Sequence, residues 1–461
     1  MQTTAAAPAL PWDALPTEMK FSVVAHLDHD DLRAFSKVNK DAYAVAVPAL
    51  WRIVDLPHFE AVQAYITHVP QAYHRYIRQL TISTAAKAAA AFVPHPAPAA
   101  QAVSDALVVL LSQCTQLEQL TLNLAGAISK TVVPCFERLN SLTTLTINHV
   151  GDQQLSPLSE RLVVSIAASV PRLRDLALDR ITRSALHAPE LVGAVPFVPV
   201  VSGDADIPPH PRLGNDLALP SLLRLPTLRR LRIRDTHLGD PNWALAPPAC
   251  ALECLDLGSC CLETPDFNRL CTERIAGAVG ATVDDLALSS PVSTETFAFA
   301  APRATPLKKL RKLTLTPLFP VEGVVDTLAS LSGSPVAELA VRCHADDVVD
   351  VCSALQDFLS MRVERGERAF YKDLAHIDVS TVEDIYDDAP GAWSNPTAVG
   401  GTSFRPAVSL PAEHAAAVKE LQAFCEDLRL AANTPLGAAP VCVAEDACVP
   451  ATGTAKLGEA C

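Results

Sequence analysis

Long apolar runs are missing from this chain of 461 residues. No stretch approaches the ~20 apolar residues that a helix needs to cross a bilayer, so no membrane span and no membrane partner are expected. Basic residues are in deficit, 37 Lys and Arg against 51 Asp and Glu, for a net charge of −14. Non-specific binding to nucleic acid relies on a basic surface, so nucleic acid is not an expected partner either. Glycine is scarce, 18 against 37 prolines, which points to stiff connections between elements. The opening MQTTAAAPALPW has neither a basic start nor a continuous apolar core, so no secretory leader is expected. The 13 cysteines are odd in number and scattered, unlike the paired set of a disulfide-stapled domain. Free thiols in a reducing interior, cytoplasm and/or nucleus, are the expectation.

Catalytic signatures are absent as well. The chain has no G-x-x-x-x-G-K-S/T loop, no G-x-G-x-x-G, no H-E-x-x-H and no G-x-S-x-G. Nothing marks one of the cysteines as an activated nucleophile. The expectation is a chain that binds rather than catalyses, with no catalytic residue and no cofactor.

What the chain has in abundance is one short pattern, apolar-x-x-apolar-x-apolar. It appears as Leu117-Leu120-Leu122, Leu142-Leu145-Ile147, Leu173-Leu176-Leu178, Leu228-Leu231-Ile233 and Leu252-Leu255-Leu257. It continues as Val283-Leu286-Leu288, Leu310-Leu313-Leu315 and Val336-Leu339-Val341, with weaker copies at Ile77-Leu80-Ile82 and Leu374-Ile377-Val379. From Leu117 the copies begin 25, 31, 55, 24, 31, 27 and 26 residues apart. Most spacings lie at or just above the ~20–29 residue period of leucine-rich repeats, which the pattern resembles. Between copies, Ser104–Cys114, Ser159–Val170, Phe267–Val279, Val324–Leu331 and Val348–Met361 have near-helical apolar spacing. One strand and one returning helix cannot bury their apolar faces alone, so neighbouring repeats are expected to stack. The cysteines Cys250, Cys254, Cys260, Cys261 and Cys271 invite a zinc reading, but Cys254 falls on a strand and Cys260 fits the repeat signature. No metal is expected.

The N-terminal segment LPWDALPTEMKFSVVAHLDHDDLRAFSKVNKDAYAVAVPALWRIVDL carries a second signal. Leu15, Pro16 and Glu18 open it; Met19, Val23, Val24 and Leu27 follow at helical spacing; then come Asp28, Asp31, Leu32, Phe35, Val38, Tyr43 and the closing Leu50-Trp51-Arg52. In order and spacing these positions resemble the F-box family, with Asn39 where the family has cysteine and Tyr43 where it more often has tryptophan. Pro16 suits a helix start, where its missing N–H costs nothing. Asp28 and Asp30 precede the next helix, where carboxylates satisfy free N–H groups. Three helices this short bury little surface by themselves and gain stability from a partner.

The resemblance implies an α/β chain, a three-helix F-box followed by an irregular leucine-rich-repeat solenoid, a curved parallel sheet with outer helices. The expected divisions are a flexible terminus at 1–10, the F-box at 11–56, repeats over 57–387 with a Pro-rich surface insertion at 188–220, a linker at 388–409, a helix at 410–430 and a disordered tail at 431–461. It further implies a substrate-recognition subunit of a Skp–cullin–F-box ubiquitin ligase. Leu15, Pro16, Val23, Leu27, Leu32, Val38, Leu50 and Trp51 would grip a Skp-type adaptor and, through it, cullin. The same apolar residues would also serve a small helical cap, and a scaffold acting without ubiquitination is the alternative.

Strand alternation places the target site. If the leucines point inward, the residues between them face outward. That face reads Asp175 and Asp179, then Arg230, Arg232 and Arg234, then Asp256, Arg342 and Asp378. An arginine strand flanked by aspartates fits a charge-patterned docking site for an unknown protein target, acidic or phosphorylated at the arginines. It equally fits Asp–Arg pairing between neighbouring strands.

Overall fold

The structure is a computed structural model that describes residues 12–85, 99–194, 197–245, 248–293, 307–365, 371, 373–381, 416–417, 419–421, 423 and 441–445. Two compact units emerge among the described residues. Of the described residues, the first holds those up to Leu252 and Gly258–Cys271; the second holds Glu253–Leu257 and those from Thr272 onward.

The first unit opens with three short helices, α1 (Thr17–Val24), α2 (His29–Phe35) and α3 (Lys40–Leu50). Their starts follow from capping. Pro16 precedes α1 at φ −54°, Asp28 accepts from the Asp31 N–H at 2.7 Å, and Asn39 accepts from the Ala42 N–H at 2.7 Å. Val24, Leu32, Val45 and Ala46 form their core, with Trp12, Leu27, Phe35, Ala49 and Leu50 packed around it. Asp41 ties the helices together, accepting from Trp12 Nε1 at 2.8 Å and Lys20 Nζ at 2.9 Å.

A parallel sheet follows in the order β1 (Ile53–Leu56), β2 (Gln79–Ser83), β3 (Gln119–Leu124), β4 (Thr144–His149), β5 (Asp175–Asp179), β8 (Arg230–Arg234). Between these strands lie α4 (Phe59–His68), α5 (Ala100–Leu111), α6 (Val133–Phe136) and α7 (Glu160–Ser169). The inward residues are sealed, Leu120, Leu122, Leu145 and Ile147 among them, and the burial alternates along the strands as a period of two requires. The second unit repeats the plan: β9 (Cys254–Leu257), β10 (Asp285–Leu288), β11 (Lys312–Leu315), β12 (Glu338–Cys343), β13 (His376–Thr381) and β14 (Val441–Glu445) pair in parallel. Helices Val324–Ser330 and Val348–Arg365 lie between its strands. The chain is thus α/β with parallel strands and helices alternating along the sequence.

One hydrogen-bond device recurs between neighbouring strands from β1 to β8 and again from β9 to β13. The Arg52 carbonyl accepts from the N–H groups of both Arg78 and Gln79, and Arg78 does the same for Glu118 and Gln119. Glu118, Thr143 and Arg174 repeat it in the first unit, as do Glu253, Asp284, Arg311 and Ala337 in the second.

Three expectations need correction. The sheet begins at Ile53, inside the segment assigned to the helices, because Val54 and Leu56 turn inward. The stretch 188–220 is not a loose surface insertion. Leu213, Leu217 and Leu219 are buried, and Arg183–Ser184 (β6) pairs in parallel with Val200–Val201 (β7). The segment 431–461 contains β14, an apolar run that adds to the sheet edge. Of the helix expected at 410–430, residues 416–417, 419–421 and 423 are helical. The terminus at 1–10 and the linker at 388–409 lie outside the described residues.

Buried charge holds the stretch after β5 against α7. Glu160, fully buried, sits 2.9 Å from Arg183 Nε, and Arg183 Nη2 donates to Asp240 Oδ2 at 2.8 Å. The same carboxylate accepts from the Ser184 N–H at 2.9 Å and the Leu219 N–H at 3.3 Å. Asp204 receives the hydroxyls of Ser159 and Ser184. Arg161 Nη1 contacts His187 Nε2 at 3.1 Å, so that nitrogen accepts and Nδ1 carries the proton donated to Glu160.

Candidate functional site

Two surfaces follow from this framework. The first lies on the three helices. Their core uses only one side, which leaves Met19 52%, Val23 46% and Val38 69% exposed, beside an exposed Pro16. Leu15, Leu27 and Leu50 are half-buried. Leu32 is 7% exposed and belongs to the helices' own core, so it is not available to a partner. Trp51 is engaged as well. Its ring stacks on Tyr73 at 5.3 Å and meets Tyr65 edge-on at 5.9 Å, while the Tyr43 and Tyr73 hydroxyls lie 2.6 Å apart. These contacts anchor α3 to the first repeat. Met19 escaped the expected adaptor set although its spacing from Val23, one helical turn, marks the same face.

The second surface is the outward side of the strands. In the first unit the ladder starts neutral: Gln79 Nε2 donates to Gln119 Oε1 at 2.9 Å and Asn148 Nδ2 to Asn123 Oδ1 at 2.8 Å. It turns charged at β5 and β8, whose register sets Asp175 beside Arg230 and Asp179 beside Arg234. Arg230 holds Asp175 with two bonds of 2.6 Å, from Nε and Nη2. Thr144 adds a third bond to that carboxylate at 3.2 Å. Arg232 faces the same way but is only 8% exposed.

Past these strands lie two residues that the sequence did not flag. Arg180 and Asp235 adopt φ 56° and 42°, a backbone conformation uncommon outside glycine. Arg180 Nε approaches Asp235 Oδ2 at 3.6 Å, and Asp235 Oδ1 accepts from the Cys261 N–H at 3.0 Å. Burial and the neighbouring Asp235 raise the Asp179 carboxyl above its ordinary range, against the pull of Arg232, Arg234 and Arg180. No residue pattern announces a left-handed arginine, so strand alternation alone stops one residue short of this cluster.

In the second unit the expected Arg342 and Asp378 come together. They share a cavity of about 250 Å³ with Lys312, Thr314, Glu338 and His376. Oδ1 of Asp378 is buried and has no hydrogen-bond partner among the described residues. Asp256 does not join them: it is 4% exposed.

The thiols are quiet. Burial pushes Cys114, Cys260 and Cys343 up to about 12, and Cys250 and Cys352 up to about 11. Cys261 is exposed, yet partial burial and then Asp235 push it up to about 11, the wrong direction for a nucleophile. Among the described residues no group of His, Cys, Asp and Glu is placed to hold a metal ion. No described helix is long and apolar enough to cross a membrane.

No protein-family model matches this chain, and no curated protein matches it in sequence. Among solved structures, the crystal structure of the Rad7 and Elc1 complex in yeast is similar over 80% of this chain and 90% of that one, at 13% identity. Its TM-score is 0.34, a likeness too loose to bear on fold or function.

Proposed function

We propose that this chain is the substrate-recognition subunit of a Skp–cullin–F-box type ubiquitin ligase, with α1–α3 as the F-box and the strand–helix units as leucine-rich repeats. The observation that carries the reading is the unpartnered apolar set Pro16, Met19, Val23 and Val38, displayed on helices that already have a core of their own. Burying a side chain of this size is worth about 1.5–3 kcal/mol, so a handful of them suffices for an adaptor to hold. Leu15, Leu27 and Leu50 would complete the grip at its margin, while Trp51 fixes the helices to the first repeat. The outward strand face then presents a protein target, and the transfer of ubiquitin falls to other subunits.

The test is a pull-down of the purified chain with a Skp-type adaptor and cullin. Wild type is expected to retain both, and the paired variant V23D/V38D is expected to retain neither while keeping its melting temperature, since both side chains face solvent. Adaptor capture unaffected by V23D/V38D would end the proposal. Capture of adaptor without cullin would favour a scaffold over a ligase.

A further inference from the structure

We infer that the joint between α3 and the first repeat is a pH-sensitive hinge, held shut by neutral His74 and opened when His74 takes up a proton. The inference goes beyond the ligase reading and does not depend on it. His74 lies in the short 3-10 helix Gln71–Tyr76 and is 2% exposed. Its ring stacks on Tyr65 of α4 at 5.3 Å, and Tyr65 meets Trp51, just past α3, edge-on at 5.9 Å. Tyr73, next to His74, stacks on Trp51 at 5.3 Å and reaches the Tyr43 hydroxyl at 2.6 Å. One chain of rings therefore runs from the repeat to the helices, with His74 at its buried end.

The closed joint carries unmet polar groups. Both His74 ring nitrogens and the Tyr65 hydroxyl are buried, and none has a hydrogen-bond partner among the described residues. A buried polar group left unmet is destabilising, and opening the joint gives all three atoms water. Neutral imidazole leaves one donor and one acceptor unmet; imidazolium leaves two donors and a charge. The groups around it do not receive that charge. On α3, Lys40 is exposed and Asp41 is engaged by Trp12 and Lys20. On α4, Glu60 faces His58 at 3.2 Å and His68 is exposed, while Arg75, beside His74, lies over the Tyr76 ring at 4.8 Å. Burial pushes Tyr65 and nearby Cys114 up, Cys114 to about 12, so both stay neutral. Burial also lowers the His74 pKa from its ordinary value. A lowered histidine pKa favours the closed joint at neutral pH, and that preference is lost as pH falls from about 6.5 toward the folded value. The helices have their own core of Val24, Leu32, Val45 and Ala46, so the joint can part while that core stays packed.

The test is hydrogen exchange of the full chain at pH 7.5 and 5.5, corrected for the intrinsic pH dependence of exchange, in wild type, His74→Phe and Tyr65→Phe. Phenylalanine at position 74 keeps a ring in the stack and removes the proton. In wild type, protection over 40–52 and 59–77 is expected to fall on the order of tenfold, the limit for one proton taken up by an imidazole of pKa about 6.5. β3 and β4 should hold theirs, and His74→Phe should show no such fall. Tyr65→Phe removes one unmet atom, so its protection should exceed that of wild type several-fold at both pH values. Melting curves at pH 7.5 are the folding control, and the wild-type and Tyr65→Phe arms decide the matter if His74→Phe does not fold. Equal wild-type protection at both pH values, a fall in folded His74→Phe as large as in wild type, a fall shared equally by β3 and β4, or lower protection in Tyr65→Phe would each overturn the inference.

Discussion

Replacing Arg183 with methionine should be the most damaging single change in the first unit, and the reason can be worked out contact by contact. Arg183 is 1% exposed and is the cation between two carboxylates, Glu160 at 0% and Asp240 at 2%. Methionine keeps much of the volume and removes the charge, so packing changes little while two buried anions lose their shared partner. Removing one member of a buried ion pair costs about 3–5 kcal/mol, because the remaining charge stays out of water. Other contacts soften this: Ser184 and Leu219 still donate to Glu160, and Asn242 N–H still donates to Asp240 at 2.8 Å. About 3 kcal/mol is therefore expected at neutral pH. Trp243 is fully buried and its backbone N–H donates to the Asp240 carbonyl at 3.3 Å, so its fluorescence in a urea titration reports on this spot.

The pH dependence makes the argument sharper. In the native chain burial works to raise the Glu160 carboxyl, but His187, Arg183 and the Ser184 N–H outweigh it and hold the pKa below its ordinary value. A depressed pKa contributes stability above the ordinary carboxylate range that is lost as pH falls through the folded value. Without Arg183 burial prevails, the pKa rises, and the penalty appears only as pH climbs through that raised value. The deficit of Arg183→Met should therefore shrink between pH 7.5 and pH 5. Adding Glu160→Gln should recover a part of it. A deficit under about 1 kcal/mol, or one that does not change with pH, would refute the reasoning.

Two further outcomes follow from other sites. His237 is pushed down to about 4 by burial first and then by Arg183, so its neutral form is the folded one, with Nε2 facing Glu263 at 3.3 Å. The native state should lose on the order of 3 kcal/mol from this group as pH falls from about 6.5 to 4, read as a falling urea midpoint, and His237→Asn should flatten that slope. A Cβ on Gly151 would meet the Ala125 carbonyl oxygen at 1.9 Å, and this partner is backbone that cannot swing aside. Gly151→Ala should lower the melting temperature by several degrees; an unchanged melting curve would mean that the turns after β3 and β4 are not packed as described.

The repeats were legible because their signal is redundant. Leucines at three fixed positions must all be buried for a strand to sit in the sheet, and the helices between them followed from spacing alone. The first strand escaped because its pattern is Trp51-x-x-Val54-x-Leu56, with tryptophan where later copies carry leucine, isoleucine or valine. The stretch after β5 escaped for another reason. Its hold on the fold is polar, and nothing local to Glu160 reveals that its partners lie at Arg183, Ser184 and Leu219. β14 was hidden by composition, a short Val-Cys-Val run set among alanine, proline and threonine. On the outward face, Asp175 and Arg230 stand in register, as do Ala340 and Asp378 on the later strands. Alternation carries no information on depth, which is why Arg232 and Asp256 point the expected way and are still buried. The tight Asp175–Arg230 pairing also shows those two side chains satisfying each other, the alternative to docking that the alternation left open.

The carbonyl that receives two N–H groups between neighbouring strands within each unit works as an index mark. From β1 to β8, and from β9 to β13, each strand is aligned to its predecessor at that mark and not by counting residues along the connection. Between β5 and β8 the chain travels 55 residues from one copy to the next, yet Arg174 still accepts from Arg229 and Arg230 as Arg78 does from Glu118 and Gln119. Connection length is therefore free to drift without shifting which side chains meet across the face. A chain built this way can acquire or shed material between strands and keep the same reading frame on its outward face.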